Sequence, residues 1–369
     1  MSEKGNGVAA SVRTESKARL KALRGALAKE KADALLVTDL KNARYLTGFT
    51  GSNAFVIVTE SKAFLLTDSR YATQASLEVK GYGIKIITKA IDAIAGLVAS
   101  LKIKTLAFEA ANVTCSTHSK LGEALPKVKL KPTTGIVGRL RVKKDSGEIE
   151  RLRASARLLD TGYRDAMRLI RPGVVERDAA LSIEMALRRR GADGLAFDTI
   201  IASGPRGALP HGKASHKLIK KGEFVVVDMG VLMDGYNSDE TRTFVVGKAT
   251  VRHKEIYGIV KGAQAKALEA VKPGIKAGAV DAAARDHIKK AGYGKYFGHG
   301  TGHGVGLDIH EGPSIAPGNE EILEEGMVLT VEPGIYMPGW GGVRIEDMAL
   351  VTKGGYELLT NTGKDLIAL

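Results

Sequence analysis

A single cysteine, Cys115, stands in this chain of 369 residues. No disulfide can form within it, and a reducing cytoplasm is the expected setting. No acid or base neighbours Cys115 in sequence, so it reads as a packing residue. No run of eighteen apolar residues occurs, which argues against a membrane span. Residues 1–13 lack the apolar core of a signal peptide and read as a disordered tail. Acidic residues are outnumbered, leaving a formal charge of +14, but aromatics are only 5% of the chain and no basic stripe is interleaved with them. The densest cationic clusters, Arg188-Arg189-Arg190, Lys220-Lys221 and Lys289-Lys290, fall mostly at the ends of helical patterns. Cations suit helix C-termini. These are solvated faces, and no nucleic acid is expected as a partner.

The composition that remains is that of a globular α/β protein, with 44% hydrophobic and 26% charged residues and enough length for two domains. Residues 14–31 read as an amphipathic helix with Leu20, Leu23 and Leu27 on one face and Thr14 as N-cap. Short apolar runs follow at 34–38, 54–59, 63–67, 84–88 and 105–109, each bounded by turn formers, and read as strands. This N-terminal α/β domain covers 14–140. A second domain, 141–369, opens on a long helix capped by Asp145 or Ser146, with Ile149, Leu152, Ala156, Leu159 and Tyr163 on one face.

The second domain carries a weak internal repeat. "IRPGV" (170–174) returns as "VKPGI" (271–275), "ALRRRG" (186–191) as "HIKKAG" (287–292), and "GEFVVVD" (222–228) as "GMVLTVE" (326–332). A period of about one hundred residues is too long for a solenoid. It predicts two similar halves about an approximate two-fold, each ending in a strand that delivers a carboxylate.

Asp228 and Asp239 flank "MGVLMDGYNS", and Glu332 and Glu346 flank "PGIYMPGWGGVRI". Each stretch reads as a hairpin, the first turning around Met233-Asp234-Gly235 and the second at Gly339, so that each pair would face across neighbouring strands. Like charges so placed need a cation or a proton between them. The bland alternative pairs each with an arginine such as Arg242 or Arg344. Two such pairs at matching places in a repeat, beside "HGTGHGVGLDIHE" (299–311), favour the cation. Four carboxylates and one imidazole form a hard, oxygen-rich set suited to two divalent first-row ions. His303 reads as the metal ligand, with His310, His299 and His211 turned to substrate, and His216 as a surface residue. The alternating glycines at 298–306 let backbone run close to a ligand or a second segment.

"VVVDMG", "NSDETRTF", "HGTGHGVGLDIHE", "VEPGIY" and "GVRIEDM", in this order, resemble the pita-bread metallopeptidases (peptidase M24) that include aminopeptidase P, prolidase and methionine aminopeptidase. "YLTGFTGS" and "TDSRYATQA" resemble the creatinase-type domain that precedes the catalytic domain in Xaa-Pro peptidases. The resemblance implies a creatinase-type N-terminal domain and a pita-bread C-terminal domain with pseudo-two-fold halves. It implies five metal ligands, Asp228, Asp239, His303, Glu332 and Glu346, with Asp239 and Glu346 bridging two ions. His303 and Glu332 would serve one ion and Asp228 the other, with a water or hydroxide between them. Manganese is the implied metal, with cobalt or zinc as substitutes. Glu332 matches the general base, His310 and His211 the imidazoles that bind substrate, His299 a third active-site histidine, and Arg344 an arginine of the proline-specific branch. The implied substrates are short peptides with proline in second place, and the expected assembly is a homodimer.

The intact ligands argue against creatinase itself and against a non-catalytic binding module. Arg344 and the N-terminal domain argue against methionine aminopeptidase. A dipeptidase must hold a free carboxylate near the scissile bond, which calls for a fixed cation. Residues 311–331 contain no Lys or Arg, and Ser314 stands about where prolidases carry an arginine. The reading therefore favours an Xaa-Pro aminopeptidase, with Xaa-Pro dipeptidase as the alternative. Tyr336, Trp340 and the "GVGL" segment beside His303 are the expected wall of a proline pocket.

Overall fold

All five apolar runs of the N-terminal part are strands in the computed structural model, which describes residues 4–369, with side chains from residue 15 onward. Two compact units divide the chain, Met1–Arg141 and Val142–Leu369. In the first, a six-stranded sheet runs Gly83–Ile86, Ala63–Thr67, Phe55–Thr59, Ala34–Val37, Thr105–Glu109, Lys129–Thr133. Its three central strands are antiparallel and the outer ones join in parallel. Leu36, Ile57, Leu66, Leu106 and Phe108 share a core with Ile94, Val98 and Leu121 of the helices Ala90–Ser100 and Cys115–Ala124. The Lys129–Thr133 strand has no apolar alternation to betray it. Its sequence, KLKPT, places lysines and a proline on a sheet edge, where both are tolerated.

Two details differ from the sequence reading here. The first helix spans Lys4–Lys29, so Thr14 lies inside it and the expected tail is helical from Lys4; residues 1–3 lie outside the described residues. Leu20, Leu23 and Leu27 are buried as expected. Cys115 is exposed rather than packed. It opens its helix one place after the N-cap Thr114, on a turn whose apolar contact comes later, from Leu121.

In the second unit Asp145 caps the helix Ser146–Leu169 through a reciprocal box with Glu148. Leu152, Ala156, Leu159 and Tyr163 are buried along one face, and Leu159 and Tyr163 share a core with Ile183 and Leu187 of Glu176–Arg189. The second half repeats the pattern with Val251–Ala270, capped by Thr250, and Ala277–Lys290. The repeat extends to backbone conformation. Gly173 and Gly274 have φ of 84° and 83°, Gly191 and Gly292 109° and 88°, Gly222 and Gly326 81° and 91°. The bridge Val175–Leu218 has its counterpart in Lys276–Ile322.

Each half then delivers its carboxylate strand. Phe224–Met229 lies between Glu240–Val245 and Ile200–Ser203 in a three-stranded sheet. Val328–Val331 lies between Gly302–Gly304 and Asp347–Thr352 in a five-stranded sheet. The second hairpin is symmetric about Gly339, as expected. Met337 pairs Gly341, Gly334 pairs Arg344 and Val331 pairs Asp347, which brackets Glu332 against Glu346. The first is shifted. Its turn is Asp234-Gly235, both at positive φ, with Met233 paired to Tyr236. That register sets Asp228 opposite Thr241, not Asp239. Because residues two apart on a strand share a face, Asp239 still lies on the side of Asp228.

Candidate metal centre

Asp228 and His303 on strands, with Asp239, Glu332 and Glu346 in the two-residue breaks between strands, bring their acid and imidazole groups to one pocket of about 490 Å³, all of it within the second unit. Asp228, Asp239, His303, Glu332 and Glu346 line it, with His211, His299, His310 and Arg344. Single donor atoms of Asp239, His303 and Glu346 lie within 4.8 Å of one another. His303 Nε2 is 3.5 Å from Asp239 Oδ2 and 3.4 Å from Glu332 Oε1. Asp228 Oδ1 is buried and has no hydrogen-bond partner.

The close approach of strands at His303 explains the glycines on either side. A Cβ on Gly302 would meet the Thr330 carbonyl oxygen at 2.0 Å, and one on Gly304 the Gly312 carbonyl oxygen at 1.9 Å. His303 Nδ1 lies 3.1 Å from the Gly304 carbonyl, which can only accept. Nδ1 therefore carries the proton, and the Nε2 lone pair faces the carboxylates. Burial holds this imidazole near a pKa of about 4, so it is neutral at neutral pH.

The carboxylates are strained electrostatically in the opposite sense. Burial, then repulsion from Asp228 and Glu332, pushes Asp239 far above the usual range. Burial, then Asp239 and Glu332, does the same to Glu346. Burial raises Glu332 to about 7 while Arg344 pulls it down. Acceptor-only groups crowded in a dry pocket, with one oxygen unpartnered and a neutral imidazole lone pair beside them, fit divalent cations in hard ligation.

Arg344 meets part of this charge, on Asp228 and at 3.9 Å from Glu332, but makes no ion pair with Asp239 or Glu346. Nη2 donates to Asp228 Oδ2 at 2.6 Å, Nε to Thr241 Oγ1 at 3.0 Å, and Nη1 to the Pro210 carbonyl and to Tyr336 Oη at 3.1 and 2.9 Å. Thr241 Oγ1 in turn donates to Glu346 Oε2 at 2.7 Å. Tyr336 Oη lies 2.8 Å from His299 Nε2, while His299 Nδ1 faces the Gly300 carbonyl at 2.7 Å. The proton order along Arg344, Tyr336, His299 and Gly300 is thereby set, and His299, held near a pKa of about 4 by burial, is neutral. Arg242 belongs elsewhere. It pairs with Glu240 and Asp347 on the opposite strand face and donates to the Glu346 carbonyl.

His211 and His310 are exposed at the same pocket, and the His310 ring packs edge-on to His303 at 4.3 Å. His216 is exposed, as expected. The expected proline wall is not where the sequence put it. Trp340 packs on Phe224 and His253 under Arg252 and covers its hairpin turn. Val305 and Leu307 of "GVGL" are buried in packing, and Tyr336 acts through its hydroxyl behind the wall. The apolar lining is Phe197, Ile200, Pro210 and Ala316. Sequence reasoning also missed Thr241 and Thr330, which brace Glu346, Glu332 and His303. Their signal was present, since each stands two residues from a carboxylate on the same strand face.

Residues 150–353 match Metallopeptidase family M24, and residues 19–143 match the Creatinase/Prolidase N-terminal domain. The chain is 39% identical over 344 residues to a protein named Xaa-Pro dipeptidase from Pyrococcus horikoshii, spanning 92% of this chain and 95% of that one. Its structure is similar to the Xaa-Pro dipeptidase from Bacillus anthracis, with a TM-score of 0.94 and 42% identity over 96% of this chain and 100% of that one. It is also similar to the X-Pro aminopeptidase from Thermotoga maritima, with a TM-score of 0.87 and 37% identity over 92% and 98% of the two chains.

Proposed function

The chain belongs to metallopeptidase family M24, and on that premise we propose that it is an Xaa-Pro dipeptidase working with two divalent metal ions. The observation that carries the reading is the approach of Asp239, His303 and Glu346 to within 4.8 Å at a pocket sized for a short peptide. The sequence reading ranked release of a single N-terminal residue from longer peptides first. The relatives favour the dipeptidase alternative. Those from P. horikoshii and B. anthracis carry the dipeptidase name, and the T. maritima aminopeptidase is less similar in both identity and TM-score than the B. anthracis structure.

Asp228, Asp239, His303, Glu332 and Glu346 would hold the ions, manganese first and cobalt or zinc as substitutes. Bound ions would supply Lewis-acid polarisation of the scissile carbonyl and a more acidic attacking water. Glu332 would accept a proton from water and pass it to the leaving proline nitrogen. His211 and His310 can each donate a hydrogen bond to the oxygen that gains charge in the tetrahedral intermediate. Burial holds the His310 imidazole below its usual pKa, in the neutral form that keeps one N–H to give.

We assign the N-terminal domain to residues 14–140 and the catalytic domain to 141–369. No helix among the described residues is long and apolar enough to cross a membrane. A homodimer in the cytoplasm completes the reading. It is supported by the resemblance and by an exposed lone thiol that suits a reducing compartment. The test compares Ala-Pro with Ala-Pro-Ala on the manganese-loaded protein. The dipeptide is expected to be hydrolysed with a kcat/KM at least about tenfold higher, a difference of roughly 1.4 kcal/mol. A preference for the tripeptide would return the assignment to aminopeptidase, and full activity after exhaustive chelation would remove metal from it.

A further inference from the structure

A dipeptide carries its free carboxylate on the proline itself, one residue from the bond that breaks. The pocket must meet that charge with a fixed cation. The segment 311–331 holds none, and Ser314 lines the pocket from it. Among the described residues that line the pocket, the lysine and arginine side chains are Arg344 and Lys213.

Arg344 is already committed. Its side chain is buried and its donors go to Asp228, Thr241, Tyr336 and the Pro210 carbonyl. To turn it towards a substrate would strip Asp228 of the arginine that holds Oδ2. Lys213 is the reverse case. Its side chain is 74% exposed, and Nζ sits 2.5 Å from Oδ2 of Asp198, itself 72% exposed and also lining the pocket. An ammonium has three donors, so the pair leaves two in hand. An ion pair so open to water is weak, and a second carboxylate can share or take it.

The backbone beneath Lys213 is, by contrast, anchored. Its N–H donates to the His211 carbonyl at 3.0 Å, and its own carbonyl accepts from Arg206 Nη2 at 2.5 Å. Arg206 Nε is 3.0 Å from Glu176, which is fully buried and also accepts from Ser203 and Ser215. A Cβ on the intervening Gly212 would meet the Leu209 and Arg206 carbonyl oxygens at 3.1 and 3.2 Å. The turn that carries His211 therefore carries Lys213 with it, on a fixed stem with a free head.

We propose that Lys213 is the specificity residue that reads the free carboxylate of a dipeptide substrate, with Asp198 as its partner in the absence of that carboxylate. The proposal rests on the dipeptidase reading and adds the residue that would enforce it. It also accounts for a pocket that can select dipeptides without an arginine in the 311–331 loop.

The experiment uses the full chain loaded with manganese and two substrates that differ only in the terminal charge, Ala-Pro and Ala-Pro-amide. The readout is the ratio of their KM values. The native protein is expected to favour the acid. Lys213→Ala should cut that preference by about tenfold, the worth of one charge-assisted hydrogen bond at an open site. Lys213→Glu should invert it, and Lys213→Arg should restore it. Raised salt should erode the acid preference of the native protein and leave that of Lys213→Ala unchanged. If the native protein cleaves Ala-Pro while the acid-to-amide ratio stays the same in all three variants, Lys213 is not the reader and the dipeptidase reading stands without it. If the native protein cleaves longer Xaa-Pro peptides and not Ala-Pro, the dipeptidase reading itself is overturned and the proposal falls with it.

Discussion

Arg344 donates to one oxygen of Asp228 at 2.6 Å, and the other oxygen, Oδ1, is buried with no hydrogen-bond partner. The carboxylate is divided between two tasks. One oxygen is fixed by a guanidinium that Tyr336, Thr241 and the Pro210 carbonyl hold in place. The other is an acceptor in a dry site, which is unfavourable alone and favourable against a cation.

Metal content should separate the ligands by rank. Asp239→Ala and Glu346→Ala are expected to lose most bound metal and nearly all activity, because each is assigned to both ions. Asp228→Ala, assigned to one, should retain about half of the native metal. Elemental analysis after gel filtration in manganese-free buffer measures this directly. Native metal content in either bridging variant would sink the ligand assignment.

Metal affinity should also rise with pH. Asp239 and Glu346 are held above the usual carboxylate range and Glu332 at about 7, so below pH 7 at least Glu332 holds a proton that an incoming cation must displace. His303, near 4, is already neutral and releases none. Each proton displaced makes the apparent dissociation constant about tenfold tighter per pH unit. The constant for manganese should therefore tighten steeply from about pH 5 to about 7, and the contribution of Glu332 should end near 7. Glu332→Gln should lower the slope by about one. Competition titrations with a coloured chelator across that range give the slope, and a flat profile in the native protein would contradict the protonated resting state.

The two hairpins show how far such a site can be read before its structure is known. Glu332 and Glu346 came out in register because Gly339 sits at the centre of a ribbon whose register is kept across the breaks at 332–333 and 345–346 into the strands behind it. Asp228 and Asp239 came out two residues off. The turn residues Asp234 and Gly235 were within the expected turn, but its centre falls one residue past the midpoint of 228 and 239. The shared face survived the error because the error was even. Trp340 misled for another reason. A lone tryptophan near an active strand draws attention, but its neighbours Phe224, His253 and Arg252 come from distant parts of the chain. Phe197 and Ile200, which do line the pocket, stand in a stretch with no motif. The candidate ligands, which the fold brings to one pocket, were legible because metal ligation restricts them to a few residue types. The pocket wall was not, because many apolar side chains can form it.

His310 and His211 should divide binding from chemistry. Neither is assigned as a ligand, although the His310 ring packs on His303 at 4.3 Å. His310→Ala and His211→Ala are expected to keep nearly full metal while kcat falls by about 10²- to 10³-fold, the usual loss for a donor to a developing oxyanion. Steady-state kinetics with parallel metal analysis decides it. An empty site in His310→Ala would move that imidazole into the ligand set.

Preference for proline should reside in the apolar lining rather than near Trp340. An Xaa-Pro bond is a tertiary amide with no N–H, and its ring fixes the local backbone. A site for it needs no acceptor at that nitrogen, and gains from a shaped apolar wall. Phe197, Ile200, Pro210 and Ala316 supply one, and Pro210 is held in place by the hydrogen bond its carbonyl accepts from Arg344. Ala-Pro is expected to exceed Ala-Ala by at least about tenfold in kcat/KM, or roughly 1.4 kcal/mol of differential transition-state binding. Phe197→Ala removes the largest apolar surface of that lining. It should bring the two substrates closer together, mainly through Ala-Pro, with metal content unchanged. Trp340→Phe, which changes packing against Phe224, His253 and Arg252 away from the pocket lining, should leave the ratio within about twofold while lowering stability through lost packing. If the ratio collapses in Trp340→Phe and survives in Phe197→Ala, the proline ring sits against the other wall.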